Sequence, residues 1–255
     1  METIVSPSWN VHPQLHVFSD PEALSNGAAE FITTLSRKVI ASTGNFSIAL
    51  SGGTTPQRLY TLLGSPLYHE KIDWKQVHIF WADERCVPKD HPESNYKLAF
   101  DSFLAHVSIS KENIHRIKGE DDPDKAARDY EHDIRLLLGA TSLPAFDLII
   151  LGAGGDGHTA SLFPASAALR ERERLAVPVY LEAPNLNRVT LTLPVLNHAV
   201  QVLFLVSGKS KKTVVQTIVE HGNPQQYPAG LVHPQQGDSI WFIDYDAASL
   251  LTHHP

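Results

Sequence analysis

Short apolar runs alternate with amphipathic stretches from one end of the chain to the other, and no other feature limits the fold as much. Residues 15–18, 46–50, 77–82 and 146–151, then RVTLTL from Arg188, QVLFLV from Gln201 and SIWFID from Ser239, read as strands. Between them lie helical patterns. DPEAL opens one with Asp20 as N-cap and Pro21 in the first turn, and Ala28, Ile32, Leu35 and Val39 follow at helical spacing. Asp122 and Pro123 repeat the device before KAARDYEHDIRLLL, while TPQRLYTLL, ESNYKLAFDSFL and KSKKTVVQTIVEH supply further helices. This alternation of strand-like and helical patterns predicts an α/β fold: a Rossmann-like, doubly wound, mainly parallel sheet with helices on both faces. The 255 residues, 42% of them hydrophobic, suffice to fill one such core, and no repeat, low-complexity tract or linker divides them. A single domain over residues 1–255 is therefore expected, with the proline-rich stretch 223–234 as a long surface loop.

In such folds ligands bind outside the carboxyl ends of the strands, so the residues that follow each strand come first. After residues 46–50 come Ser51, Gly52, Gly53 and Thr54 at a helix start. The glycines let backbone N–H groups turn toward a ligand, and a helix N-terminus favours an anion. No Gly-Lys-Ser/Thr closes a Walker loop here, and a tight turn with a threonine cap explains the same residues equally well. After residues 77–82 come Asp83, Glu84 and Arg85, either a solvated loop or an arginine reaching a ligand with an acid orienting it. Cys86 beside them reads as a small buried filler, since acidic neighbours raise a thiol's pKa. After the strand at Gln201, Lys209, Lys211 and Lys212 cannot all face one point, so one or two at most serve the ligand edge.

The strongest signal is DLIILGAGGDGHTASLFP. Gly152, Gly154 and Gly157 satisfy the dinucleotide fingerprint G-x-G-x-x-G after a strand. Asp156 argues against that use, because a carboxylate inside the turn repels a pyrophosphate, and Pro164 stops any helix within two turns. The loop also lies past the chain's midpoint, whereas a dinucleotide fold places it in the first βα unit. What remains is His158, expected in the first turn of a helix, whose N-terminus would keep the imidazole neutral and able to accept a proton.

The formal charge of −7 with no basic run argues against nucleic acid as a partner. An anionic small molecule would need a locally basic pocket. One cysteine allows no internal disulfide and fits a reducing compartment. There is no charged-then-apolar leader pattern and no apolar run near the ~20 residues a membrane helix needs. A monomeric, cytoplasmic protein without membrane contact is the expectation. HPQLH has a proline between its histidines and no H-E-x-x-H occurs, so no metal is expected.

Taken together, SGGTTPQRLY, FWADERCVPKDHPESNY, LGAGGDGHTASLFP and RVTLTLPVLNHAVQVLFLVSGKSKK resemble the 6-phosphogluconolactonase family, in order and over most of the chain. The wider superfamily includes the glucosamine-6-phosphate deaminase/isomerases, which have a similar Gly-x-Asp-Gly-His loop. The resemblance implies hydrolysis of the phosphorylated sugar lactone 6-phospho-D-glucono-1,5-lactone, a step of the oxidative pentose phosphate pathway, with neither metal nor cofactor. It implies His158 as general base with Asp156 beside it. Ser51, Gly52, Gly53 and Thr54 would belong to the sugar-phosphate site, with Arg85, Arg188 and Lys211 as cationic partners. Lys211 is chosen because the superfamily pattern is Gly-x-x-Lys, counted from Gly208. In the deaminase pattern a glutamate follows five residues after the histidine; here that position is Phe163, which holds no proton. A non-catalytic sugar-phosphate sensor is the other alternative, though no helix-turn-helix segment or basic face accompanies the site.

Overall fold

The computed structural model describes residues 13–139, 143–220 and 226–252. In chain order the elements are β1 (Gln14–Phe18), α1 (Pro21–Thr43), β2 (Phe46–Leu50), α2 (Thr54–Leu63), β3 (Val77–Trp81), β4 (Asp83–Arg85), α3 (Asn95–Ala99) and α4 (Pro123–Leu138). Then follow β5 (Leu148–Leu151), β6 (Ala176–Val179), β7 (Arg188–Leu191), α5 (Leu193–Leu196), β8 (Gln201–Val206), α6 (Lys212–Val219), β9 (Asp238–Asp244) and α7 (Tyr245–Ala248). The helix starts follow their caps. Asp20 accepts from the backbone N–H groups of Glu22 and Ala23 at 2.9 and 2.8 Å, and Asp122 from that of Lys125 at 3.0 Å. The helix read in ESNYKLAFDSFL begins as α3, capped by Ser94, and widens into a π-helical turn over Phe100–Leu104.

Six strands form one sheet in the order β1-β9-β8-β5-β2-β3, and every pairing in it is parallel. β2 and β5 are buried along their whole length, as their continuous apolar runs require. From β2 the chain steps outward to β3, then returns past β2 to β5 and continues the other way through β8 to β9. Right-handed crossovers in opposite directions put α2 and α6 on opposite faces of the sheet. The reversal leaves a crevice between the carboxyl ends of β2 and β5, where such folds bind ligands.

A second, antiparallel sheet hangs over that crevice, in the order β4-β7-β6. Ala82 is the hinge between the two sheets: its N–H donates to Leu50 O at 2.7 Å, and its carbonyl accepts from Leu191 N at 2.8 Å. The three charged residues after β3 are thus a strand, and the solvated-loop alternative is corrected: Asp83 and Glu84 are buried. RVTLTL lies in this small sheet, outside the parallel one. The surface-loop expectation for 223–234 also needs correction. Residues 223–225 lie outside the described residues, but Pro228–Leu231 forms a 3-10 turn with Pro228, Ala229 and Gly230 buried. Among the described residues no helix is long and apolar enough to cross a membrane.

Candidate active site

Ser51 follows β2 under close control from α2. Its N–H donates to the Tyr60 hydroxyl at 3.1 Å, and that hydroxyl donates to the Ser51 carbonyl at 2.7 Å. One buried phenol thus satisfies both backbone groups of the residue that leads into the loop. Gly53 is the N-cap of α2 and supplies no side chain, so the first-turn N–H groups of the helix, next to Thr54 and Thr55, remain available to a ligand. Ser51, Gly52, Gly53 and Thr54 all line a cleft of about 490 Å3.

The loop after β5 faces them across the crevice. No helix begins at His158, so the expectation of a first-turn histidine and of a helix dipole acting on it is corrected. Residues 152–166 are turns, because backbone bonds inside the loop use the groups a helix would need: Gly154 N–H donates to His158 O at 2.8 Å and Gly157 N–H to Gly154 O at 3.0 Å. Thr159 Oγ1 ties the loop back to Gly152 O at 2.8 Å. Asp156 Oδ1 accepts from His158 N at 3.2 Å and lies 2.6 Å from His158 Nδ1. A carboxylate can only accept, so Nδ1 carries the proton and Nε2 is the basic nitrogen. Burial works to raise the Asp156 carboxyl, but the hydrogen bonds from His158 outweigh it and hold the group below its ordinary range. Two glycines are required here. A Cβ at Gly154 would overlap the imidazole and the Asp156 carboxylate, and Gly157 has φ +79° with the Tyr227 ring against its Cα. Phe163 packs its ring 4.8 Å from that of His158.

The third wall is cationic. Arg85 and Arg188 are directly paired across β4 and β7, which puts both guanidinium groups on one face of the small sheet. Burial first, and then the like charge of Arg85, pull Arg188 below its ordinary pKa. Arg188 Nε donates to Leu186 O at 3.1 Å, and Arg85 Nη1 to Glu93 O at 2.6 Å. Two like charges held together favour an anion between or beside them. Lys211 closes the 3-10 turn that follows β8 and also lines the cleft, while Lys209 is exposed near Asp246 and Lys212 is exposed. Asp244 fixes that turn by accepting from Ser207 Oγ at 2.6 Å and Gly208 N at 3.0 Å.

Every expected site residue except Asp156 lines the cleft, and Asp156 reaches it through His158. Asp83, left open in the sequence as an acid beside a ligand-reaching arginine, lines it as well, and so do Asn95, Ser207, Ser210 and Ala160, which had no assigned role there. The non-local β4–β7 pairing settles the place of Asp83, and Asn95 joins the cleft through its amide hydrogen bonds to Asp83. Glu84 works from behind the cleft. Its carboxylate accepts from Arg85 N, Asn95 N, Tyr96 N and Ser94 Oγ at 2.7–2.9 Å, while burial pushes its pKa above the ordinary range against those donors. Cys86 is half-buried, and burial followed by the charge of Glu84 pushes its thiol up to about 11, which agrees with a filler.

Residues 19–241 match the family of glucosamine-6-phosphate isomerases/6-phosphogluconolactonase. The chain belongs to this family. Within it, the chain is 40% identical over 243 residues to a 6-phosphogluconolactonase from Synechocystis, a match that covers 94% of this chain and 98% of the relative. The solved structure of 6-phosphogluconolactonase from Trypanosoma cruzi superimposes with a TM-score of 0.84 at 32% identity, covering 94% of this chain and 97% of that one. A monomeric glucosamine-6-phosphate deaminase has the same fold, with a TM-score of 0.77 at 22% identity over 93% of this chain and 99% of that chain. The family fold therefore carries more than one chemistry, and the residues of the cleft must separate them.

Proposed function

We propose that the chain hydrolyses 6-phospho-D-glucono-1,5-lactone to 6-phosphogluconate, with His158 as the general base. The observation that carries this reading is the His158–Asp156 pair standing in a cleft whose other walls hold Arg85, Arg188, Lys211 and the open N-terminus of α2. A volume of about 490 Å3 is in the range of small-molecule sites. His158 Nε2 takes a proton from water as the water oxygen attacks the lactone carbonyl carbon. The resulting oxyanion collapses, the bond to the ring oxygen breaks, and the imidazolium returns the proton to that oxygen. Asp156 holds the ring in the required tautomer and stabilises the imidazolium while it exists. Atoms and charge balance without an oxidant, reductant or metal. The cationic wall and the α2 N-terminus anchor the phosphate and favour the developing negative charge.

Phe163 occupies the place where a deaminase needs an acid, and its ring lies against His158, so the lactonase reading is favoured over sugar-phosphate deamination. One core runs through both sheets, in support of a single domain among the described residues. A monomer suffices for the chemistry, since every proposed group comes from one chain, and the lone half-buried Cys86 fits the cytoplasm. The deciding experiment is turnover of freshly prepared lactone by the purified protein, with spontaneous hydrolysis subtracted. His158→Ala is expected to lose about 100- to 10,000-fold in kcat while still binding 6-phosphogluconate. Near-normal turnover by that variant would refute the assignment of the base.

A further inference from the structure

Asp83 is the one carboxylate in the cleft wall that the proposed reaction leaves without a task. It is 5% exposed and lines the cleft. None of the ion pairs among the described residues includes it. Its Oδ2 accepts from Ser161 Oγ at 2.6 Å, and its Oδ1 from Asn95 Nδ2 at 3.2 Å. An ionised carboxylate offers about four acceptor positions, so capacity remains beyond these two bonds.

Asn95, only 2% exposed, repeats the pattern. Its Nδ2 also donates to the Asp83 carbonyl at 2.9 Å, which fixes the amide with Oδ1 turned toward Gly52. Among the described residues that Oδ1 has no hydrogen-bond partner, nor has the neighbouring Ser51 Oγ. The Asp83 charge is felt by Arg188 without a direct ion pair, and a buried acceptor without a donor costs stability, which native sites tolerate where a ligand completes the set. What Asp83 and Asn95 lack is a donor. A phosphate dianion supplies none, whereas the hydroxyls of a sugar or aldonic acid do.

Register along β4 places this lack usefully. Asp83 and Arg85 are two residues apart on one strand, so they point to the same face, roughly 6.6 Å from each other along it. A molecule with an anionic end and hydroxyls a few bonds away can engage both. We propose that Asp83 and Asn95 form a hydroxyl-reading subsite, with the Asp83 carboxylate accepting from a substrate hydroxyl. The proposal rests on the sugar-phosphate reading above and names the part of the substrate that this wall recognises.

The test is calorimetric binding of 6-phosphogluconate and its 2-, 3- and 4-deoxy analogues to the whole protein and to Asp83→Asn. That substitution keeps the internal ties, because the introduced amide can accept from Asn95 and donate to the Ser161 hydroxyl. The wild-type protein is expected to bind one deoxy analogue about ten- to a hundredfold more weakly than 6-phosphogluconate, the worth of one charge-assisted hydrogen bond. Asp83→Asn is expected to weaken 6-phosphogluconate by a similar factor and to leave that one analogue as before, so the discrimination collapses. Wild-type protein that binds all four acids alike overturns the subsite without any variant. So does Asp83→Asn if it weakens all four equally or preserves the wild-type pattern. If none of the acids binds and the lactone is not turned over, the function itself fails and the subsite with it.

Discussion

Asp156→Asn separates orientation from electrostatics at the base. The asparagine oxygen can still accept from His158 Nδ1, so the tautomer and the ring position persist. What disappears is the negative charge that stabilises the imidazolium in the transition state. With the N···O distance at 2.6 Å, the charge centres lie roughly 4 Å apart, worth about 4 kcal/mol at an effective dielectric near 20 and about 1 kcal/mol in water. The side chains are 36% and 52% exposed, so solvent screening moves the value toward the lower limit, about 1–2 kcal/mol. That corresponds to a loss of about five- to thirtyfold in kcat, well short of the loss expected for His158→Ala. The assay is initial rates over a range of fresh lactone concentrations, with spontaneous hydrolysis subtracted and affinity for 6-phosphogluconate measured alongside. The reasoning is refuted if kcat stays within about twofold of wild type. It is also refuted if the loss equals that of His158→Ala while product binding is intact, because the charge would then be worth far more than the screened Coulomb value.

Arg188→Ala and Lys211→Ala are each expected to weaken phosphorylated ligands by roughly ten- to a hundredfold. Unphosphorylated gluconolactone provides the contrast, and an equal loss on both lactones would remove the phosphate role. Gly154→Ala puts a methyl group where the imidazole and the Asp156 carboxylate lie, and both can swing away, so turnover should fall nearly as far as in His158→Ala. Its thermal midpoint should stay close to wild type, and near-normal kcat would show that the pair tolerates displacement. His115 sets an acid limit on stability. Its Nε2 lies 3.2 Å from His78 Nδ1, and burial first, then His78, bring its pKa down to about 4 from an ordinary 6.5. The unfolded chain therefore binds the proton more readily, so the contribution is intact above about pH 6.5 and is lost as pH falls toward 4. His115→Phe, stacked on Phe80 as the imidazole is, should flatten urea-unfolding stability across that window; an unchanged slope would remove His115 as the cause.

The α/β alternation, the helix caps and the loops at the carboxyl ends of strands are legible in the order of residues alone. Each of these is a local matter. Periodicity reports which side of an element is buried, Asp-Pro reports where a helix starts, and a glycine run after an apolar run reports a turn. The same local signals placed Ser51 through Thr54 at the start of α2, while the choice of Lys211 among its neighbours came from the family resemblance. These signals misjudged the region around His158, where bonds inside the loop are joined by non-local partners: Ala229 N–H donates to Gly157 O at 2.9 Å and the Tyr227 ring covers Gly157, about 70 residues further on. They also left Asp83-Glu84-Arg85 open between loop and site. Packing settles it, since a three-residue strand has too short a pattern to read, and its pairing with β7 joins residues over 100 positions apart. That pairing sets Arg85 against Arg188, buries Asp83 in the cleft wall and turns separate loops into one site. The physical reason is that local propensity fixes which backbone shapes are cheap, while the partner of each strand edge and each buried charge is settled by what else the fold brings beside it.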